Sequence, residues 1–465
     1  MATTTPGQAT RFGVVLGVIS AGVAMSNLDV FIVNVALPDV GAHYDGASLA
    51  ALSWILNAYA VIFAASLIPA GGLADRIGPR RAYLAGLVVF TLASVACALA
   101  PGVWVLVGAR VVQAVGAGLL IPSSLGILLT VAPPERRIPS IRTWSAISGL
   151  AAAFGPLAGG LLTQLDWRLI FLVNVPIGLA AWIVGLRSIP ETPGRAAAAR
   201  ADLLGVGLLT AGIALLSLGV VRSEDWGWTS YEVLGCLGAS AVILVLFVLR
   251  SARHPAPVLP LGLLKLPGMS SATLANLVFA VAFAMMLLSA VLWSQDVWHW
   301  TPLQTGLGIA PGPLMVPVLA MGAGPLTRRW GAGAVSASGC LVFAAGIGWW
   351  LLALGTRPEY VTGLLPGMLL TGVGVGLTVP TLVGAGVAAL PPGTFSTGSA
   401  VVTMARQIGS VLGVAVLVAV LGGTEGAGRV AAFDHGWWLT LGLGLAAGAV
   451  CLTIVRPPRA PEPAR

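Results

Sequence analysis

Long apolar stretches separated by short polar segments run along the whole chain. Windows of about 20 apolar residues, the length that crosses a bilayer as a helix, predict fourteen spans. Open strands are excluded because their backbone groups would stay unpaired in lipid. The pattern therefore predicts an all-α integral membrane protein. The predicted spans cover residues 12–37, 50–73, 82–100, 102–130, 140–164, 169–189, 203–221, 231–250, 271–294, 303–323, 333–354, 362–388, 397–421 and 436–455.

Basic residues in the connecting segments predict the orientation of these spans. Of the 24 lysines and arginines, eighteen fall in loops on one side of the predicted membrane. The opposite loops hold only Arg168, Arg222, Arg357 and Arg429. Positively charged loops stay in the cytoplasm. We therefore expect both termini in the cytoplasm, which requires an even number of spans, as fourteen is.

A charged turn bounded by glycines occurs twice. The segment Gly71–Arg81 returns 253 positions later as Gly324–Gly331, with Gly, Leu, Arg and Gly at the same spacing. Each copy follows an apolar span. The repeat predicts two related six-helix bundles, residues 1–190 and 266–465, with two additional spans and linkers in 191–265. Paired bundles with a binding cavity between them are typical of secondary transporters.

Composition narrows the function classes. The chain is 57% hydrophobic and 9% charged, against about 25% charged residues in soluble domains. Its net charge of +8 is spread over many loops, which does not fit a nucleic-acid surface. Four cysteines and four histidines occur singly, without the spacing of metal ligands or a redox motif. We expect no metal, no cofactor and no enzymatic site, and the lack of a large soluble block disfavours a sensor or scaffold.

Charged side chains inside predicted spans are the candidates for chemistry. Asp29 and Arg110 each lie eight or nine residues from the outer end of their spans, which places both roughly 12–14 Å below the outer surface. Equal depth permits an ion pair. A carboxyl buried in a membrane protein is costly and can exchange a proton, as proton coupling requires. A packing hydrogen bond or a fixed ion pair remains an alternative for Asp29.

Four further polar residues are candidates for the wall of a substrate cavity. Asn34 follows Asp29 in span 1, and Gln113 lies one turn from Arg110. Arg406 and Gln407 lie toward the inner end of span 397–421, where a purely structural role is an equally open alternative. The C-terminal spans contain no carboxylate at mid-membrane depth. This distribution favours neutral or anionic substrates over lipophilic dications.

Glycine and proline mark two further segments. Span 140–164 contains Gly155-Pro156 followed by Gly159-Gly160. Proline kinks a helix, and glycine allows another helix to approach closely.

In the repeated turn, Asp75 can interact with the N-terminus of a neighbouring helix. A loop that only fixes membrane orientation is the alternative for that turn.

These motifs resemble those of the major facilitator superfamily, specifically its fourteen-span drug:proton antiporters. Residues 71–81 resemble the superfamily's loop motif, with Pro79 where a basic residue is usual. Residues 110–116 resemble the span-4 motif with Ala114 in place of glycine, and residues 151–160 resemble the span-5 antiporter motif with Ala151 in place of glycine. Further similar segments are 28–38, 167–178 and 405–409.

The resemblance implies a major facilitator fold and roles for the motif residues. It implies that Asp29 and Arg110 serve proton transfer and that the span-5 motif marks export. It also implies a latch between the cytoplasmic ends of the bundles, formed by Gly71, Asp75, Arg76, Gly78 and Arg80.

We accordingly expect a monomeric transporter of a bacterial cytoplasmic membrane. It would export small amphipathic toxic compounds or antibiotics by alternating access, with protons, the substrate and lipid as its partners and the proton gradient as its energy source. A proton-coupled porter for a specific metabolite or nutrient is the alternative.

Overall fold

A computed structural model describes residues 6–44, 47–133, 136–191, 202–266, 268–388, 395–422 and 427–454. Within these ranges the chain forms helices and no strands. We label the long helices α1 (Pro6–His43), α2 (Leu49–Ile77), α3 (Pro79–Ala98), α4 (Val103–Val131), α5 (Arg137–Leu165), α6 (Asn174–Ser188), α7 (Leu203–Val221), α8 (Tyr231–Arg253), α9 (Met269–Leu292), α10 (Pro311–Trp330), α11 (Ala332–Ala353), α12 (Leu365–Ala388), α13 (Phe395–Leu421) and α14 (Ala427–Leu452).

Two predicted spans are interrupted helices. A single turn, Leu169–Leu172, precedes α6, and the short helix Pro302–Ile309 precedes α10. Pro176 and Pro311 lie just after the two breaks. Proline has no N–H group to continue the helical hydrogen-bond pattern, so a helix is readily interrupted before it.

Thirteen helical segments within the described residues are long and apolar enough to cross a membrane. The helix α5 is not among them, although it is 29 residues long. It packs along α1 over much of its length. Because thirteen segments meet the criteria for a span, the count of fourteen stays a prediction. The cytoplasmic location of the termini also stays a prediction.

Helix packing repeats between the two halves of the chain. In the N-terminal half α1 packs against α5 and α6, α3 against α4 and α6, and α2 against α4. In the C-terminal half α9 packs against α13 and α14, α11 against α12 and α14, and α10 against α12. Every pair recurs with helices eight places later. This is the arrangement of two related six-helix bundles.

One helix contact shows the repeat residue by residue. A Cβ atom on Gly116 of α4 would lie 2.7 Å from the backbone nitrogen of Phe90 in α3. A Cβ atom on Gly374 of α12 would lie 2.7 Å from the nitrogen of Phe343 in α11. Both phenylalanines are fully buried. In lipid no hydrophobic force drives helices together, so they associate by close packing of their backbones at small residues.

The repeated turn also keeps its backbone geometry. Gly78 ends α2 with φ 96°, and Gly331 ends α10 with φ 87°. Each glycine N–H donates to a carbonyl of the preceding turn, that of Ala74 or Thr327, at 2.9 Å. An L-residue rarely adopts this conformation, so both copies need glycine there.

The two halves meet along two pairs of helices, and the extra helices lie beside one of them. The helix α2 packs against α13, and α5 packs against Pro302–Ile309 and α10. The helix α7 packs against both α2 and α13, and α8 packs along α7. Asn57 of α2 donates to the Ser217 hydroxyl of α7 at 3.2 Å. The additional pair thus attaches to the outside of the α2–α13 contact.

Candidate functional site

The structure brings Asp29 and Arg110 together as a buried ion pair. Arg110 Nη1 donates to Asp29 Oδ2. The carboxylate is 0% exposed and the guanidinium side chain 1% exposed. The pair joins α1 to α4, as the equal depth predicted from the sequence permits.

Two amides hold the second oxygen of Asp29. Gln113 Nε2 donates to Oδ1 at 2.9 Å, and Asn174 Nδ2 donates to the same atom at 3.0 Å. Both amides also donate to the hydroxyl of Ser94, at 2.8 and 3.3 Å. These donors come from α4 and α6, and the hydroxyl that both amides share comes from α3, so four helices contribute to one hydrogen-bond network around the carboxylate.

Arg110 makes further contacts besides its pairing with Asp29. Its Nε donates to the carbonyl of Ile55 at 3.1 Å, and Nη1 donates to Gln113 Oε1 at 2.6 Å. The Tyr59 ring lies against the guanidinium, with Cζ 4.1 Å from the ring centroid. An aromatic face attracts a cation. Arg110 is therefore held by α2 as well as by Asp29, and it can stay in place when Asp29 changes charge.

Three members of this network are absent from the sequence-based predictions. Asn174, Ser94 and Tyr59 have no formal charge, so each resembled an ordinary packing residue of a span. Asn174 does lie in the segment 167–178 that carries part of the family resemblance. Gln113, predicted to line the substrate cavity, is instead fully buried inside the network. Its amide is used by Asp29, Arg110 and Ser94, which leaves it no direct path to a substrate in this conformation.

The positions of the C-terminal half that align with Arg110, Gln113 and Ser94 do not repeat this network. The register set by the Phe90–Gly116 and Phe343–Gly374 contacts aligns Arg110 with Met368, Gln113 with Thr371 and Ser94 with Ile347. All three counterparts are buried. The charged chemistry thus belongs to one repeat only.

The glycines of the span-5 motif form two contacts with different partners. Gly155 packs against Phe31 of α1, and Gly159 packs against Ile32, whose carbonyl oxygen would lie 3.0 Å from an added Cβ. A Cβ on Gly160 would overlap the carbonyl oxygen of Pro302 and lie 2.9 Å from the Leu303 Cα. The motif therefore joins α1, in its own half, to the C-terminal half.

The end of the molecule predicted to face outside is closed by these contacts. The rings of Phe31 and Phe283 pack edge to face with centroids 6.3 Å apart. Gln295 Nε2 donates to the carbonyl of Val35 at 3.2 Å. We call these two contacts, together with the Gly160–Pro302 contact, the outer seam.

The turn predicted to act as a latch lies at the opposite end. Arg80 pairs with Glu191 and donates from Nη2 to the carbonyl of Leu186 at 2.7 Å. These contacts join α3 to the end of α6, both in the N-terminal half. Gly71 lies near Pro122, and Arg76 is exposed. The side chain of Asp75 is outside the described residues, so the latch between the halves stays a prediction.

The other predicted cavity residues lie away from the ion pair. Asn34 is buried and donates to the carbonyl of Val30 at 2.8 Å. Gln407 is buried in α13, and its neighbour Arg406 is partly buried. The structure does not bring Arg406 into the Asp29 network.

Residues 19–414 match the profile described as the Major Facilitator Superfamily. The methylenomycin A resistance protein of Streptomyces coelicolor is 33% identical over 454 residues, which cover 96% of this chain and 93% of that protein. The cephamycin export protein of Amycolatopsis lactamdurans is 34% identical over 88% of this chain and 85% of its own length. The multidrug resistance protein Stp of Mycobacterium tuberculosis is 33% identical, covering 86% and 74% of the two chains.

Solved structures agree on the fold. The human organic anion transporter MFSD10 aligns with a TM-score of 0.64 at 14% identity, over 96% of this chain and all of its own. A structure from a study of proton dependent oligopeptide transporters aligns with a TM-score of 0.67 at 16% identity, over 95% and 98% of the two chains. At such identities the likeness concerns the fold alone. The profile match and the bacterial relatives show that this multi-pass bacterial membrane protein belongs to the major facilitator superfamily of transporters.

Proposed function

We propose that the protein exports small amphipathic toxic compounds, antibiotics among them, in exchange for protons. The observation that carries the proton part is the buried Asp29–Arg110 pair with its neutral hydrogen-bond shell. Asp29 can lose or gain one charge while every neighbour keeps a partner. The export part is supported by relatives whose names describe resistance or export.

The mechanism follows from the charge of Asp29. In the conformation closed at the outer seam, the ionised carboxylate is bound by Arg110 and two amides. A proton that reaches Asp29 from an outward-open state removes its attraction to Arg110. Arg110 keeps its bonds to Ile55 and Gln113. Protonation thus favours a different position of α1 relative to α4.

Exchange requires that substrate and proton favour different states of the same transporter. In this proposal the substrate stabilises the state with ionised Asp29 and dissociates after protonation. One proton crossing a potential of 100 mV supplies about 2.3 kcal/mol, which sustains a substrate gradient of roughly 50-fold. A single titrating carboxyl is therefore enough for useful export.

The test is transport by purified protein in liposomes with an imposed pH gradient. Methylenomycin A and cephamycin, which two of these relatives are named for, serve as first probes after a resistance screen in a drug-sensitive host. We expect Asp29→Asn to lose gradient-driven accumulation and to keep exchange of substrate across the membrane without a gradient.

Asp39→Asn is the matched control. Asp39 lies on the same helix as Asp29 but is only partly buried near its outer end, so its loss should leave both activities intact. Uphill accumulation by Asp29→Asn would show that the coupling residue is another one. Wild-type protein that accumulates none of the compounds found in the screen would contradict export itself.

A further inference from the structure

Arg406 differs from Arg110 in having no partner. Among the described residues, no hydrogen bond, ion pair or aromatic contact involves its guanidinium. Its backbone carbonyl accepts from Ser410 Oγ at 3.1 Å, which leaves the side chain itself unbound. A guanidinium at this depth in a membrane protein is costly unless a counter-charge or water meets it.

Arg406 belongs to a polar stripe along one side of α13. Thr403, Arg406, Gln407 and Ser410 occupy positions i, i+3, i+4 and i+7, which places them on one face of the helix. Every residue from 401 to 422 is buried or partly buried. The helices that pack around α13 are α2, α7, α9, α12 and α14. The stripe therefore faces space inside the protein rather than lipid.

The neighbouring face of α13 is used for packing within its own half. Gly409 and Gly413 lie against the carbonyls of Leu277 and Val281 in α9. Since α13 also contacts α2, it lies where the two halves meet. A polar group on this helix is positioned to contact a substrate held between them.

The described part of the chain supplies no counter-charge for Arg406. Both oxygens of Asp29, the one carboxylate that the described spans place at mid-depth, are already bound. Asp29 and Arg110 cancel, so Arg406 adds one uncompensated positive charge among the described residues around it. We propose that Arg406 binds the anionic group of the exported compound, and that this group is a carboxylate on an amphipathic monoanion.

The chemistry of arginine fits this ligand. A guanidinium forms two parallel hydrogen bonds to a carboxylate, and such charge-assisted bonds are stronger than neutral ones. The apolar remainder of the compound meets the aliphatic walls of the halves. The inference rests on the proposed export function and specifies its substrate class.

The test compares acids with their neutral methyl esters. Purified protein in detergent is titrated with fusidate, with cephalothin and with the methyl ester of each, and binding is followed by thermal shift and equilibrium dialysis. We expect wild-type protein to bind each acid about 10- to 100-fold more tightly than its ester. Arg406→Gln should abolish this preference, and Arg406→Lys should retain part of it.

Arg328→Gln is the control, because it removes the same charge at an exposed position near the end of α10. It should keep the full preference for acids. A wild-type protein that binds neither acid, or binds acids no better than esters, overturns the proposal. So does an Arg406→Gln protein that still prefers acids. Liposome export of the esters but not the acids contradicts only this inference, whereas loss of all export contradicts the proposed function.

Discussion

The substitution Gly160→Ala tests whether the outer seam controls access to the transport pathway. Gly160 lies where α5 meets the short helix Pro302–Ile309. An added Cβ would overlap the Pro302 carbonyl oxygen and lie 2.9 Å from the Leu303 Cα. Both neighbours are backbone atoms, so neither can rotate away. The helices must separate by roughly 1 Å to reach ordinary carbon contact distances.

The size of the effect follows from this overlap. Overpacking a close contact costs about 1–3 kcal/mol. The cost falls only on the conformation in which the seam is closed, since the two helices separate when the outer end opens. A difference of about 1–3 kcal/mol between two states changes their ratio by roughly 5- to 150-fold. We expect Gly160→Ala to shift the transporter toward its outward-open state by that factor.

A reporter cysteine measures the shift. Thr163 lies one turn from Gly160 on the same face of α5 and is 6% exposed, so the thiol of Thr163→Cys is protected while the seam is closed. Cells are treated with a membrane-impermeant maleimide, and the labelling rate is compared with and without Gly160→Ala. The native Cys97, Cys340 and Cys451 are buried, and Cys236 is replaced by alanine to remove background.

Gly149→Ala is the matched control on the same helix. A Cβ at Gly149 meets no atom within 4 Å, so it adds a methyl group without an overlap. Labelling should match that of the parent. If Gly160→Ala labels no faster than Gly149→Ala, the seam is not the closed gate and the argument from backbone overlap is refuted.

Two further predictions concern the ion pair and the repeated turn. Arg110→Gln should lower thermal stability by an amount equivalent to about 3–5 kcal/mol, because it leaves the Asp29 charge buried. Adding Asp29→Asn should recover at least half of this loss in a double-mutant cycle. Losses that simply add would contradict the pairing. Gly331 has φ 87° and ψ 158°, a backbone region open almost solely to glycine. Gly331→Ala should therefore cost about 1–3 kcal/mol of stability, measured as a shift in melting temperature. The control is Gly322→Ala, whose added Cβ meets no atom within 4 Å.

The sequence predicts the helices well because burial in lipid leaves little choice. A run of about 20 apolar residues must be helical there. Helix ends are less predictable, since hydrogen bonding continues past the lipid boundary. The helix α1 extends to Pro6 and His43, beyond the predicted 12–37, and α2 extends to Ile77.

The internal repeat extends further than the sequence indicates. Gly86 and Phe90 lie 253 positions before Gly339 and Phe343, but Gly116 lies 258 positions before Gly374. The segment between α11 and α12 is longer than that between α3 and α4. A comparison at one fixed offset therefore finds the turn and misses the α4 contact.

The ion pair was predictable, and its shell was not. Charged residues in apolar spans are conspicuous, and counting residues from the span ends gave Asp29 and Arg110 equal depth. Asn174 reaches Asp29, and Ser94 reaches Asn174, only because α3 and α6 pack against each other in the bundle. That convergence is a property of the packed bundle and leaves no mark in the spacing of any single helix.

The helix α1 links the proton site to the outer seam. Asp29 faces α4 and α6, while Phe31, two residues later, packs against Gly155 and Phe283. Residues two apart on a helix point to nearly opposite sides. In the proposed mechanism, loss of charge at Asp29 frees one side of α1 and separation from Phe283 frees the other, so α1 moves only when both contacts weaken. Under this mechanism, one short helical segment is enough to couple proton binding to opening, without a long chain of intermediate residues.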